Sequence, residues 1–199
     1  CSARTSANPF GHSTPDASWK TPIARQTPDE DDMTVWFTAD HHFGHANVIR
    51  HCRRPFADVE AMDEAMIDRW NDVVGPRDEV WHLGDFAYRC GPRRMADIFQ
   101  RLSGKAIHLI CGNHDHKHAL ALPWASKQHY AELRIDSRMI ILFHYGLRVW
   151  NKSHHGSWSL YGHSHGRLEG TEASCDVGVD VWDFRPVSLE ELSSKLRPQ

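Results

Sequence analysis

The stretch Ile107-His108-Leu109-Ile110-Cys111-Gly112-Asn113-His114-Asp115 decides the reading of this chain. An apolar, β-rich run stops at a glycine and then presents an amide, an imidazole and a carboxylate. That is a strand delivering polar groups to a loop, and open α/β sheets keep their chemistry at the carboxyl ends of strands. The arrangement recurs four more times. Val35 to Ala39 ends in Asp40-His41-His42, and Val80 to Leu83 ends in Gly84-Asp85. Met139 to Phe143 ends in His144, and Ser159 to Tyr161 ends in Gly162-His163-Ser164-His165.

Between these ends the chain alternates strand with helix. Ala46 to Arg53 reads as a short helix stopped by Pro55. Asp58 is placed to cap a second helix, whose apolar positions Val59, Met62, Met66, Trp70 and Val73 fall on one face, with Gly75-Pro76 as its end. Gly91-Pro92 opens a third helix over about Arg93 to Leu102. The β-α-β-α-β rhythm predicts a largely parallel sheet with right-handed crossovers. Beyond Pro123 the pattern changes. His129 to Ile135 and Arg138 to Phe143 read as a hairpin turning at Asp136-Ser137. Short strands are expected at Ser159 to Tyr161, Ser174 to Val179 and Val181 to Phe184. Ser188 with Glu191 has capping-box spacing, so a helix closes the chain. Two packed sheets with helices outside them satisfy this content.

Residues 1 to 32 differ from the rest. Ser, Thr, Pro and Asn dominate, no apolar period is visible, and the segment ends on the acidic run Asp29 to Asp32. Such a segment buries too little surface to offset its ordering entropy. It is read as a polar, flexible N-terminal extension, with the folded domain over 33–199.

The remainder, about 170 residues, suits one domain with a sizeable core. The longest apolar run is about five residues against the roughly 20 that span a membrane, and no signal peptide is visible, so a cytoplasmic protein is expected. The net charge of −3 gives no general basic face for nucleic-acid phosphates, so charge does not indicate that partner. Arg53-Arg54 and Arg93-Arg94 read as solvated pairs. Five scattered cysteines without a C-x-x-C spacing exclude a zinc ribbon and argue against a disulfide framework. The unusual feature is 16 histidines, many of them beside carboxylates at strand ends.

Taken together, Asp40, His42, Asp85, Asn113, His144, His163 and His165 form a set of nitrogens and hard oxygens without a thiolate. Such donors favour first-row divalent ions, Mn2+ above all, with Fe, Zn2+ or Ni2+ as alternatives, over all-oxygen Mg2+ or Ca2+ sites. Seven donors exceed what one ion takes and suit two ions that share a carboxylate. A dinuclear site clamps the attacking and leaving oxygens of a phosphoryl displacement and supplies a bridging hydroxide near neutral pH.

The order Asp40-x-His42, Gly84-Asp85, Gly112-Asn113-His114-Asp115, His144, Gly162-His163-Ser164-His165 resembles the calcineurin-like metallophosphoesterases, over Met33 to about Val187. The chain looks most similar to the small bacterial and phage members. The resemblance implies an α/β fold, a four-layer α-β-β-α sandwich of two mixed sheets, and hydrolysis of phosphomonoesters or phosphodiesters of small, nucleotide-like substrates. Position by position, it implies one ion on Asp40, His42, Asp85 and His165. The second ion takes Asp85, Asn113, His144 and His163, and His114 is the general acid. Asp115 has two readings, orienting and charging His114 or capping a backbone N–H. His45, Arg89, Arg148 and Trp150 are candidates to touch substrate.

Two departures are visible. Where many members carry an acidic residue three after the bridging aspartate, this chain has Tyr88, followed by Arg89. His144 is followed by Tyr145-Gly146 where the family often has Gly-His. The competing reading is a non-catalytic, protein-binding scaffold on the same fold. A metallo-β-lactamase-like hydrolase fails, because His163-Ser164-His165 is followed by Gly166-Arg167 and not by an Asp-His pair.

Overall fold

The structure is a computed structural model that describes residues 33–196. The expected N-terminal extension over 1–32, and the last three residues of the expected domain, lie outside the described residues.

The first sheet has the order β4-β3-β2-β1-β9. Strands β1 (Val35–Thr38), β2 (Glu79–His82), β3 (Ala106–Ile110) and β4 (Ser126–Gln128) run parallel, and β9 (Val187–Ser188) is antiparallel to β1. The second sheet has the order β5-β6-β7-β8. Here β5 (Tyr130–Ile135) and β6 (Arg138–Phe143) form the expected hairpin. Strands β7 (Trp158–Tyr161) and β8 (Ser174–Asp176) continue parallel to β6. Both sheets are mixed, and helices pack with them, in keeping with the expected α/β fold.

Alternation along the strands separates two cores. In register, Trp36, Val80 and Ile107 face one way, while Phe37, Trp81 and His108 face the other. The first row joins α1 (Ala46–His51), α2 (Val59–Val73) and α3 (Pro92–Arg101) through Val48, Met62, Met66, Trp70, Met95 and Ile98. Trp70 is fully buried, and burying a side chain of this kind stabilises by at least about 1.5–3 kcal/mol. The second row meets the other sheet through Ile140, Leu142, Trp158 and Leu160. The same core takes Leu192 and Leu196 from α5 (Leu189–Lys195) and its C-cap.

The capping signals hold. The Asp58 side chain accepts from the Ala61 N–H, and Ser188 with Glu191 completes the capping box. Two short elements had no sequence signal, β4 and the helix α4 (Lys117–Leu120). Val181 to Phe184, expected as a strand, is instead a 3-10 turn and bend. Asp183 and Phe184 have φ of +50° and +57°, a left-handed backbone that cannot continue a ladder.

Parallel strands end on one side. In the first sheet β1, β2 and β3 present their carboxyl ends together, and in the second β6, β7 and β8 do the same. The two sheets meet at that edge. Ala39 bridges Gly178 in parallel fashion, and the Val179 N–H donates to the Ala39 carbonyl at 3.0 Å.

Candidate metal centre

The strand ends deliver two groups of convergent ligand atoms. Asp40, His42 and His165 form one, Asp85, His144 and His163 the other, and within each the donor atoms lie within 4.8 Å of one another. Asp85 stands between them. Its Oδ2 lies 3.6 Å from Nε2 of His42 and 3.6 Å from Nε2 of His144. Asn113 joins the second group, its Oδ1 lying 3.2 Å from Nε2 of His144. All seven expected ligands are therefore brought to one locus.

The backbone there is strained. Asp40, His42, Asp85, His163 and His165 all have φ between +48° and +66°. Outside glycine this conformation costs roughly 1–2 kcal/mol per residue, and it persists only where the surroundings over-determine it. The glycines preceding these ligands explain how the loops approach so closely. A Cβ on Gly112 would stand 2.3 Å from Asp85 Oδ1 and 2.6 Å from the Asp85 nitrogen. One on Gly84 would stand 2.6 Å from the Gly112 nitrogen and from His144 Nδ1.

The donor atoms fit a cation. His144 Nδ1 is 2.7 Å from the Leu83 carbonyl, which only accepts, so Nδ1 carries a proton, and Nε2 faces Asn113 Oδ1 and Asp85 Oδ2. One ring nitrogen and two oxygens converging in this way offer a cation three donor atoms. In the other group, Asp40 Oδ1 and His42 Nδ1 are buried without a hydrogen-bond partner, and orphaned buried atoms of this type are costly. Burial pushes the Asp40 carboxyl well above its ordinary range, opposed by His165. Burial and the neighbouring His165 push His42 far down, so its ring is neutral and its lone pair available. Burial also lowers His163, with His144 adding to the effect.

A sixth strand end, from β8, supplies the support. Burial alone would lower His165, but hydrogen bonds to Asp180 and Cys52 and the charges of Asp40 and Asp180 lift it to about 10. Its surroundings thus stabilise positive charge. Asp180 Oδ2 lies 2.7 Å from His165 Nδ1, leaving the other ring nitrogen for the metal group. Asp180 is held in turn by Arg54, whose Nε and terminal nitrogen donate to its two oxygens at 2.8 Å each. The same guanidinium donates to the carbonyls of Asp40 at 2.6 Å and His41 at 2.8 Å. Arg54 is therefore no solvated surface residue, as the Arg53-Arg54 pair suggested. It is buried and ties the β1 loop to Asp180. Asp176, also at the end of β8, accepts from the Ser164 hydroxyl, from Gly166 N–H at 3.0 Å and from Gly178 N–H at 2.7 Å. This fixes the turn that carries His163 and His165.

Asp115 is resolved in favour of the capping reading. Its Oδ2 accepts from Asp85 N–H at 2.8 Å and Gly112 N–H at 2.9 Å, and its Oδ1 from Phe86 N–H at 3.0 Å. A carboxylate with both oxygens on main-chain donors braces the ligand loops. His114 is held by its own N–H, which donates to Asp85 Oδ1 at 2.8 Å. The ring lies 5.3 Å from that of His42 and 4.5 Å, edge to face, from that of Tyr88.

His45 shares this rim. Its ring is 4.7 Å from Tyr88 and 5.5 Å from His42, and burial, reinforced by His114 and other cationic neighbours, pushes it down to about 4. The Arg89 guanidinium sits 5.4 Å from the Tyr88 ring centre. His41 lies beneath the site, buried, with Nδ1 3.0 Å from His82 Nε2. Arg148 and Trp150 are not at this rim. They line a separate groove of ≈450 Å3 with Ser153, His154, Thr171, Glu172 and Ala173, and the Trp150 indole N–H donates to the Ser157 carbonyl at 3.1 Å.

Residues 33–186 match the family model for the calcineurin-like phosphoesterase superfamily domain. An uncharacterized protein of Methanocaldococcus jannaschii is 29% identical over 164 residues, covering 78% of this chain and 87% of the relative. The Gene 66 protein of Mycobacterium phage D29 is 28% identical over 180 residues, covering 74% and 88%. Among solved structures, a protein of unknown function from Aquifex aeolicus superposes with a TM-score of 0.65 at 20% identity, over 82% of this chain and 99% of that one, a likeness of fold.

Proposed function

The chain belongs to the calcineurin-like phosphoesterase superfamily, and from that premise we propose that it is a dinuclear, metal-dependent phosphoesterase. It cleaves phosphomonoesters or phosphodiesters of small, nucleotide-like substrates. The observation that carries this reading is the position of Asp85, one carboxylate oxygen 3.6 Å from an imidazole of each ligand group. Asp40, His42, Asp85 and His165 would hold one ion, and Asp85, Asn113, His144 and His163 the other, with Mn2+ the preferred metal. Such a pair would supply Lewis-acid activation of the phosphoryl group and of an attacking water near neutral pH.

The chain's own residues do the rest. His114, on the rim above the metal groups, donates a proton to the leaving-group oxygen, a step suited to an imidazole near neutrality. Asp85 and Asp115 hold the loop that presents it, through the hydrogen bonds described above. Arg89 and His45, on the same rim with Tyr88, contact the substrate. The catalytic unit is the domain over 33–199, with 1–32 as an extension. The described residues contain no helix long and apolar enough to cross a membrane. Their four cysteines are free, which suits a reducing, cytoplasmic setting.

The test is hydrolysis of bis-p-nitrophenyl phosphate by the full chain with added Mn2+, followed by a panel of nucleotides, cyclic nucleotides and phosphosugars. Turnover that requires the metal supports the proposal. Folded protein inactive with every divalent ion would leave the scaffold reading in its place.

A further inference from the structure

The four outer strands of the two sheets are unequal. β4, β9 and β8 span three, two and three residues, and very short edge strands are one way a fold avoids pairing with other chains. β5 is different. It runs for six residues, Tyr130–Ile135, along the outer edge of the second sheet. Its ladder with β6 continues unbroken from Tyr130 opposite Phe143 to Ile135 opposite Arg138, so no bulge turns it away. The strand holds no proline, glycine or lysine. Among the described residues, no main-chain hydrogen bond joins β5 to anything but β6. Alternate N–H and C=O groups on its outer side are therefore open to another strand.

The two faces of β5 define what suits that edge. Ala131 is buried in the core between the sheets, and Leu133 and Ile135 pack against that core while only partly covered. Tyr130, Glu132 and Arg134 are exposed on the opposite face. An added strand gains most by bringing apolar residues to the inner face and opposite charges to the outer one. A second copy of β5, antiparallel and related by a two-fold axis, brings both.

The charges also choose the register. Inner residues must stay opposite inner residues, because a slip of one residue turns the apolar set outward. Centred on Glu132, the pairing sets that carboxylate against its own copy. Centred on Arg134, it opposes two guanidiniums and sets Glu132 against the partner's Asp136. Centred on Leu133, it places Glu132 opposite the partner's Arg134, and Arg134 opposite the partner's Glu132, with the two leucines meeting on the inner face. Glu132 accepts from the Tyr130 hydroxyl and the Asn151 amide, and a carboxylate has room for further donors.

We propose that this chain forms a two-fold dimer by pairing β5 with β5 of a second copy, centred on Leu133, so that the two four-stranded sheets become one continuous sheet. Two Glu132–Arg134 pairs fix its register. A six-residue ladder is small beside the ~1,600 Å2 of a standard interface, so the dimer is reversible, with a Kd on the order of 10–100 µM. None of the seven metal-ligand residues takes part, and the dimer stands or falls independently of the phosphoesterase activity.

Sedimentation velocity of the full chain, from well below to well above that Kd, tests the proposal. The mass is expected to rise from 22.8 kDa toward twice that value. E132R and R134E, both at exposed positions, each set like charges opposite one another twice per dimer, and each is expected to weaken association at least about tenfold. E132R/R134E restores opposite charges in exchanged places and is expected to dimerise like the unaltered chain. Hydrogen exchange of the unaltered chain gives a second reading, in which β5 amides slow as concentration rises and β4 amides do not. A monomer at the highest concentration, or β5 exchange indifferent to concentration, would overturn the proposal. So would a dimer insensitive to both single substitutions, or a double variant no better than the single ones.

Discussion

Asp180→Asn tests how the site is supported. Asp180 touches neither ligand group's interior but lies 2.7 Å from His165 Nδ1 and accepts two 2.8 Å bonds from Arg54. An asparagine keeps the shape and one acceptor while removing the charge that fixes the ring. It leaves the Arg54 guanidinium, whose side chain is 0% exposed, with only the Asp40 and His41 carbonyls as strong acceptors. Losing an outer partner of a ligating histidine typically weakens metal binding 10–100-fold, about 1.4–2.7 kcal/mol. The effect is expected on the group containing His165 alone, because the hydrogen bonds of Asp180 go to His165 and Arg54, while Asp85, His144 and His163 are held by contacts to His114, Leu83 and Asp40. Breaking the buried Arg54 pair also costs stability, up to about 3–5 kcal/mol for complete loss of a partner. Competitive titration of Mn2+ against a chelating dye, with the fold monitored by circular dichroism, reads both quantities. Two binding steps of which one weakens and one stays is the expected result. Equal weakening of both steps, or none, would refute the argument that Asp180 acts through His165.

Further predictions follow from other contacts. His114→Ala is expected to keep its metal content while kcat falls by roughly 10²–10⁴-fold, and a variant as fast as the unaltered chain on a poor leaving group would remove His114 from the mechanism. Asp63 accepts from Gly44 N–H with both oxygens at 3.1 Å and pairs with Arg94 at 2.7 Å. Burial nevertheless lifts it from 3.8 to about 6, against the pull of the Gly44 N–H and Arg94. Between about pH 4 and 6 the folded state therefore holds the extra proton, so stability falls as pH rises through that window. Relative to Asp63→Asn, the unaltered chain is expected to lose roughly 2–3 kcal/mol across it, read from urea midpoints at a series of pH values. A constant difference between the two would contradict the assignment.

Much of this molecule was legible in the sequence because its strand ends share a simple grammar. An apolar run, a glycine and then a ligand type mark the places where crowded loops meet, as Gly84 and Gly112 show at 2.6 Å. The α2 face and the α5 capping box were equally readable, since helix periodicity and capping are local. What escaped was non-local or short. Arg54 looked like half of a solvated pair because its partner is 126 residues away. Asp176 and Asp180 were missed because the strand expected over Ser174 to Val179 stops at Asp176, and Asp180 lies on the 3-10 turn Val179–Val181 that follows it. Strand β4 is short, and its Ser-Lys-Gln sequence carries no alternation of apolar residues. Arg148 and Trp150 were placed by sequence proximity to His144, but the groove they line contains none of the seven ligand residues. Asp115 was ambiguous for a chemical reason, since a carboxylate near both a histidine and free N–H groups serves either, and only the geometry assigns it to the main chain.

The sharing of one carboxylate by two ion sites is tested most directly by metal stoichiometry. Full chain loaded with Mn2+, freed of excess ion and analysed for metal per chain is expected to hold two ions, and Asp85→Asn prepared identically is expected to hold fewer than one. Two ions retained by a folded Asp85→Asn protein, or a single ion in the unaltered chain, would contradict the account.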